Sequence, residues 1–282
     1  MSVYIFPGQG SQIKGMGRGL FSEFPELTAK ANSILGYSIQ TLCLEDPQQQ
    51  LNQTYYTQPA LYTVNALTCL KKAQETKITP KFLAGHSLGE YNALLTAGVF
   101  DFETGLKLVK ERGKLMHQVT NGAMAAVIGL KVDSIKMILE QHNLTSIAIA
   151  NDNSHTQIVI SGQKEDIERA QRLCEQAGAL MVIPLKVSGA FHSPQMRPVQ
   201  EQFDDFLKKF RFSPPTIPVI ANYTARPYAA NDICANLVQQ ITHSVRWTES
   251  IDYVLGQGET EFEEMGPGTV LTGLVQRIKN GQ

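Results

Sequence analysis

The segment Gly85-His86-Ser87-Leu88-Gly89 places a serine between an apolar run, Phe82 to Ala84, and a helix-forming stretch that begins near Glu90. This is the pattern of a nucleophile elbow, a tight strand-to-helix turn with strained backbone angles, in which glycine two residues to either side leaves room for neighbouring chain. The hydroxyl then projects at a helix N-terminus, where free N–H groups and the helix dipole favour negative charge. The plainer reading of the same letters is an ordinary strand-to-helix turn. The strand before and the helix after therefore carry as much weight as the motif.

A serine hydroxyl is a weak nucleophile near neutral pH and needs a base within hydrogen-bond reach, with donors aimed at the oxyanion. Six histidines are available. His86 adjoins the serine and, in a tight turn, points elsewhere; His117, His142, His155 and His243 lie in polar or helical surroundings. His192 stands in Val187-Ser188-Gly189-Ala190-Phe191-His192-Ser193-Pro194, directly after an apolar strand, where the chain can bring a side chain over the elbow. It is the candidate base, with a structural histidine as the alternative. No acid between Ser87 and His192 stands out as a third member, and a backbone carbonyl is the other way to orient an imidazole. For the oxyanion, the default donor is the N–H of Leu88, the residue after the nucleophile. A second is the N–H of Gln9, in the glycine-flanked loop Pro7-Gly8-Gln9-Gly10, which could equally be a plain β-to-α turn.

Arg112 is the sharpest signal outside the elbow. On a helix from Phe102 to Val119, Gly105, Leu108, Val109, Leu115, Met116 and Val119 fall within roughly 60° of it, while Lys107, Lys110, Glu111, Lys114 and Gln118 lie opposite. An arginine centred on an apolar face needs an anion and further hydrogen bonds to offset desolvation. That anion is either a substrate carboxylate, which the planar fork holds with two bonds, or a protein carboxylate; a snorkelling side chain is the third reading.

These groups must be positioned by a fold that the rest of the chain specifies. At 282 residues it can bury one large core, or one large and one small. Apolar residues make up 43%, charged residues 18%, and the net charge of -1 with scattered basic residues excludes a nucleic-acid or anionic-membrane surface as the main partner. The opening Met1-Ser2-Val3-Tyr4-Ile5-Phe6 carries no basic leader, and no run of about 18 apolar residues follows, so a cytoplasmic protein is expected. Cys43, Cys69, Cys174 and Cys234 match no metal-ligand spacing.

Short apolar strands, Val3 to Phe6 and Phe82 to Ala84, alternate with helical patterns at Tyr62 to Gln74, Glu90 to Ala97 and Phe102 to Val119, which predicts an α/β layer with a mostly parallel sheet. Between Met124 and Val187 the order becomes β-α-β-β-α-β, the ferredoxin-like unit. The expected organisation is a large α/β hydrolase-like domain, residues 1–122 and 188–282, split by a small ferredoxin-like subdomain, residues 123–187. After it come a helix near Arg197 to Phe210, a strand near Pro218 to Asn222, helices at Asp232 to Thr242 and Thr248 to Leu255, a strand at Glu261 to Met265 and a helix from Thr269 to Ile278.

From end to end the chain resembles the malonyl-CoA:acyl carrier protein transacylases, in particular the free-standing acyltransferases that serve polyketide synthases lacking built-in acyltransferase domains. The resemblance is carried by Phe6-Pro7-Gly8-Gln9-Gly10-Ser11-Gln12, Thr57-Gln58-Pro59-Ala60, Gly85-His86-Ser87-Leu88-Gly89-Glu90-Tyr91, Arg112-Gly113, Gly122-Ala123-Met124-Ala125-Ala126, Gly189-Ala190-Phe191-His192-Ser193 and Gly266-Pro267-Gly268. It implies that Ser87 is acylated and His192 is the base. It further implies that the amides of Gln9 and Leu88 hold the oxyanion, that Arg112 clamps the malonyl carboxylate and that Gln58 lines the cleft. Gln240 falls where the family uses a main-chain carbonyl to orient the histidine. The Gly-Ala-Phe-His segment is similar to the malonyl-selective polyketide version, and a bulky Phe191 is expected to favour malonyl over methylmalonyl.

The reaction implied is ping-pong transfer of malonyl from malonyl-CoA to the phosphopantetheine thiol of an acyl carrier protein, by a monomer with no metal or bound cofactor. Alternatives on the same scaffold are a housekeeping transacylase of fatty acid synthesis, a thioester hydrolase acting on carrier proteins, or a non-catalytic docking component.

Overall fold

The computed structural model describes residues 2–76, 78–187 and 189–282; the boundary expected at Ser188 lies outside the described residues, as do Met1 and Lys77. Strand β1 (Ser2–Phe6) sends Tyr4 and Phe6 into one hydrophobic core and Val3 and Ile5 into another. A strand buried on both faces reads as a continuous apolar run, which is how it shows in the sequence. Helices α1 (Leu20–Glu23), α2 (Pro25–Leu35) and α3 (Ile39–Leu44) follow in a stretch where the sequence reading named no helix. Their punctuation is nonetheless present: Pro25 stands at the start of α2, Gly36 closes it with φ 85°, and the Ser38 side chain caps α3 by accepting from the Thr41 N–H.

Helix α4 (Thr54–Thr76) begins well before the expected Tyr62 and runs through Pro59. Proline removes one intrahelical hydrogen bond and ordinarily ends a helical pattern. Here the preceding turn is held by tertiary packing: Thr57 Oγ1 donates to the Leu51 carbonyl at 2.6 Å, and a Cβ at Gly113 would sit 3.1 Å from the Thr54 carbonyl oxygen, so the two backbones meet. Strand β2 (Phe82–Gly85) leads through the elbow into α5 (Gly89–Thr96), and α6 (Phe102–His117) follows, capped by Asp101, whose side chain accepts from Thr104 N–H at 2.8 Å.

The middle of the chain forms β3 (Ala123–Ile128), α7 (Val132–Gln141), β4 (Ala148–Ser154), β5 (Gln157–Gly162), α8 (Lys164–Gln176) and β6 (Met181–Pro184). Its strands pair antiparallel in the order β6-β3-β5-β4, the ferredoxin-like arrangement that the β-α-β-β-α-β sequence order predicts. One face of this sheet packs Ala125, Val127, Ile158 and Ile160 against α7 and α8, and the other sends Met124, Ala126 and Val159 toward the large core.

The remainder comprises α9 (Arg197–Leu207), β7 (Val219–Ile220), α10 (Ile233–Thr242), β8 (Val245–Arg246), α11 (Trp247–Gly256), β9 (Glu261–Glu264) and α12 (Val270–Lys279). The large sheet runs β7-β2-β1-β9 with every pairing parallel. Strand β8 was not legible in the sequence, since two residues show no periodicity. It pairs in parallel with β4 through Asn151 and Asp152, so the small sheet gains a fifth strand from beyond residue 187. The carboxyl ends of β1, β2 and β7 share one edge of the large sheet, where open parallel sheets place their ligands. Gln9, Ser87 and Asn222 follow those three strands. Among the described residues, no helix is long and apolar enough to cross a membrane.

Candidate active site

The elbow is built by steric exclusion. A Cβ on Gly85 would run into the backbone of Gly89, and one on Gly89 would run into the Phe6 carbonyl oxygen. The chain can therefore turn this tightly only over bare backbone. Ser87, at the apex, adopts φ 51°, a left-handed angle costly for a side-chain-bearing residue and held here by its hydrogen bonds. Its N–H donates to Asn222 Oδ1 at 2.7 Å, and its carbonyl accepts from Gln240 Nε2 at 2.9 Å and from the Glu90 N–H at 3.2 Å.

His192, the candidate base, stands beside the serine. Ser87 Oγ lies 2.8 Å from His192 Nε2, and His192 Nδ1 lies 2.8 Å from the Gln240 main-chain carbonyl. A carbonyl oxygen only accepts, so the hydrogen is on Nδ1 and the lone pair of Nε2 faces the hydroxyl. Burial, and after it the charge of Arg112, push this imidazole down to about 3, so it is neutral at neutral pH and its Nε2 lone pair is free. The ring of His86 points away, with Nε2 2.7 Å from Asn153 Oδ1.

Arg112 is 1% exposed, which excludes a snorkelling side chain. Among the described residues it makes no ion pair within 4.0 Å, which excludes a direct protein salt bridge. Its partners are neutral acceptors: Gln58 Oε1 at 2.8 Å, Gln240 Oε1 at 2.9 Å and Ser87 Oγ at 3.0 Å. The guanidinium also lies over the Tyr91 ring, 5.6 Å from its centroid. Gln9, Gln58, Ser87, Leu88, Arg112, Phe191 and His192 line one cleft, closed on the other side by Met124, Asn151, Leu185 and Val187. Gln240, the eighth candidate residue, lies behind it. No acceptor among the described residues takes the N–H of Gln9 or Leu88. Gly8 packs so closely on the His86 carbonyl that a Cβ would overlap it, which brings the Gln9 loop against the elbow.

Residues 3–279 match the family described as acyl transferase domain. The chain belongs to this acyltransferase family. Among the acyltransferases it is 56% identical to the polyketide biosynthesis malonyl CoA-acyl carrier protein transacylase PksC of Bacillus subtilis, over 280 residues that cover 99% of this chain and 97% of the relative. It is 41% identical to the malonyl CoA-acyl carrier protein transacylase of Escherichia coli, over 284 residues covering 98% and 92%. The crystal structure of the malonyl CoA-acyl carrier protein transacylase from Burkholderia pseudomallei matches with a TM-score of 0.96 at 51% identity, covering 100% of this chain and 99% of that one. The family resemblance read from the motifs is borne out by all three.

The acyltransferase site also holds groups that the sequence reading did not assign. Asn222 joins β2 and β7 by donating from Nδ2 to the Gly85 carbonyl at 2.6 Å, besides holding Ser87. Glu90 is fully buried beneath the elbow and takes hydrogen bonds from Tyr228, Asn222 and Gln240. The one signal available for Glu90 was its place in the motif, the single charged residue of its helix. Asn222 had none, because its partners are far away in sequence. Phe191 is 5% exposed, and a Cβ on Gly189 would sit 2.8 Å from its ring, so glycine there lets the ring lie back along the cleft wall.

Proposed function

We propose that this acyltransferase moves a malonyl group from malonyl-CoA to the phosphopantetheine thiol of an acyl carrier protein, through an ester on Ser87, in polyketide synthesis. The observation that carries the reading is a buried guanidinium, whose direct hydrogen-bond partners are all neutral, touching the nucleophile itself. A cation taken out of water beside a reactive hydroxyl fits a substrate that brings its own anion. In malonyl the carboxylate lies one methylene from the reacting carbonyl, so an acyl group on Ser87 Oγ keeps it beside Arg112. The 56% identity to the polyketide relative, against 41% to the Escherichia coli transacylase, supports the polyketide assignment.

In the first half-reaction His192 Nε2 takes the Ser87 hydroxyl proton as Oγ attacks the thioester carbonyl. The oxyanion accepts from the amides of Gln9 and Leu88. The carbon–sulfur bond then breaks, and the CoA sulfur leaves with the proton from His192. In the second half-reaction the phosphopantetheine thiol gives its proton to His192 and its sulfur attacks the ester; Ser87 Oγ leaves and is reprotonated. The Gln240 carbonyl holds the imidazole through both steps, in place of a triad carboxylate. Phe191 narrows the space at the acyl α-carbon and Gln58 steadies Arg112. We place the inserted subdomain at residues 123–187, a division supported by the separate core under α7 and α8, and the enzyme in the cytoplasm, supported by four cysteines that are all free thiols.

Labelled malonyl-CoA tests the reading. Label should remain on the wild-type protein and be absent from Ser87→Ala; label retained by the variant removes the mechanism. Measuring free malonate against loaded carrier protein distinguishes transfer from thioester hydrolysis, and release of acid without loading would favour a hydrolase.

A further inference from the structure

Glu90 is 0% exposed, and no step of the reaction uses it. Each hydrogen bond its carboxylate makes is one it accepts: from the Tyr228 hydroxyl at 2.6 Å, from the Asn222 N–H at 3.0 Å, and from the side-chain amide of Gln240. The last of these, together with the bond to the Ser87 carbonyl, determines how Gln240 is turned. With Glu90 ionised, the Gln240 side-chain nitrogen lies between two groups that can only accept, the Glu90 carboxylate and the Ser87 carbonyl, so the hydrogens must be there. The amide oxygen is then left facing Arg112 Nη2 at 2.9 Å. Turned the other way, Gln240 would set its oxygen against two acceptors and its NH2 against a guanidinium.

We propose that Glu90 is a positioning residue for substrate selection: by fixing the polarity of the Gln240 amide it aims Arg112 at the acyl carboxylate, and so favours carboxylated over neutral acyl thioesters. This rests on the transfer reading above. A buried charge with hydrogen bonds from all sides imposes a single orientation on its neighbours, which a neutral isostere does not.

Glu90→Gln is the direct test. Its oxygen can still accept from Tyr228 and Asn222, but its NH2 then meets the NH2 of Gln240, so the amide loses one of the two acceptors that hold it and its hold on Arg112 loosens. Loading of Ser87 from malonyl-CoA and from acetyl-CoA, each as kcat/KM at about pH 8, gives the readout. The malonyl-to-acetyl preference should fall about tenfold or more, the scale of one hydrogen bond to a charged group, with most of the loss in the malonyl KM. Gln240→Met, which keeps the main-chain carbonyl on His192 and removes the amide, should lower the same ratio. Equal losses for both acyl groups, or an unchanged ratio, would overturn the assignment. If neither variant folds, the pair serves the scaffold and the assignment also falls. A wild-type enzyme with no malonyl preference would overturn the transfer reading and this inference together, whereas a preference kept by both variants overturns the inference alone.

Discussion

Arg112 Nη2 donates to Ser87 Oγ at 3.0 Å, and the same oxygen stands 2.8 Å from His192 Nε2. The hydroxyl thus gives its hydrogen to the imidazole while a lone pair receives the guanidinium. As the proton moves, the growing negative charge on Oγ meets a cation already in place. The same cation depresses the imidazole, so one buried charge favours both the free base and the alkoxide.

His192→Ala removes the proton acceptor while leaving Arg112 and the amides of the cleft in place. The rate of Ser87 acylation, followed by intact mass, should fall about 10²- to 10⁴-fold, the range for loss of a general base. Acylation within a few-fold of wild type would show that Arg112 activates the serine without a base.

Replacing Arg112 by alanine should reduce malonyl loading by about 10²-fold or more, as expected when one partner of a buried charge pair is lost. Acetyl loading should fall much less, since acetyl has no carboxylate to hold. Lysine should rescue poorly, because a point charge cannot reach Gln58, Gln240 and Ser87 as the planar fork does. Equal losses for malonyl and acetyl would assign Arg112 to the scaffold.

With its imidazole at about 3, the enzyme should show no loss of acylation from histidine protonation near pH 6.5. An inflection near 7 that disappears in Glu90→Gln belongs to Glu90, which burial pushes up to about 7 against the pull of its hydrogen-bond donors. Stability follows by linkage, with opposite signs for the two groups. The folded-state value of His192 is depressed, so its contribution is full above 6.5 and is lost as pH falls toward about 3. For Glu90 the value is raised, so its contribution is full below 4.5 and is lost as pH rises through about 7. Below 4.5 only the histidine remains, and denaturant midpoints should fall less steeply in His192→Ala than in wild type. Parallel acid limbs would contradict a buried neutral imidazole.

Gly89→Ala and Gly273→Ala separate steric need from helix propensity. At Gly89 a Cβ collides with the Phe6 carbonyl, whereas at Gly273, within α12, it meets nothing within 4 Å. The first should cost about 3 kcal/mol or more through forced displacement of β1 from the elbow. The second should stabilise by roughly 0.5–1 kcal/mol, the difference between glycine and alanine within a helix. Urea unfolding measures both, and a neutral Gly89→Ala would show that the elbow relaxes without strain.

What could be read from the sequence follows the range of the forces involved. The elbow was legible because its constraint is local: two glycines, a strand and a helix within a dozen residues. Arg112 was legible because helical periodicity turns a linear string into a face. His192 stood out by its place after the inserted strands, although its 2.8 Å approach to Ser87 is a contact across 105 positions. Glu90, Asn222 and the Gln240 side chain form a network joining residues more than 130 positions apart, which no local pattern encodes. Helices α2 and α3 could have been found from Pro25, Gly36 and Ser38. Strand β8 could not, since pairing with β4 alone makes it a strand.

Phe191 offers the sharpest test of acyl-chain selectivity. The residue is 5% exposed, lines the cleft beside His192, and its ring is laid back by the absence of a side chain at Gly189. A methyl branch on the acyl α-carbon must enter the same space, and one methyl group in a fitted pocket changes selectivity by about 10- to 200-fold. Phe191→Ala should therefore raise methylmalonyl loading relative to malonyl by about tenfold, measured as competing masses on Ser87. Gly189→Ala should shift selectivity too, because a Cβ 2.8 Å from the ring forces Phe191 to move. If both variants kept the wild-type ratio, the α-carbon would be facing another wall of the cleft, with Met124 and Leu185 the residues to replace next.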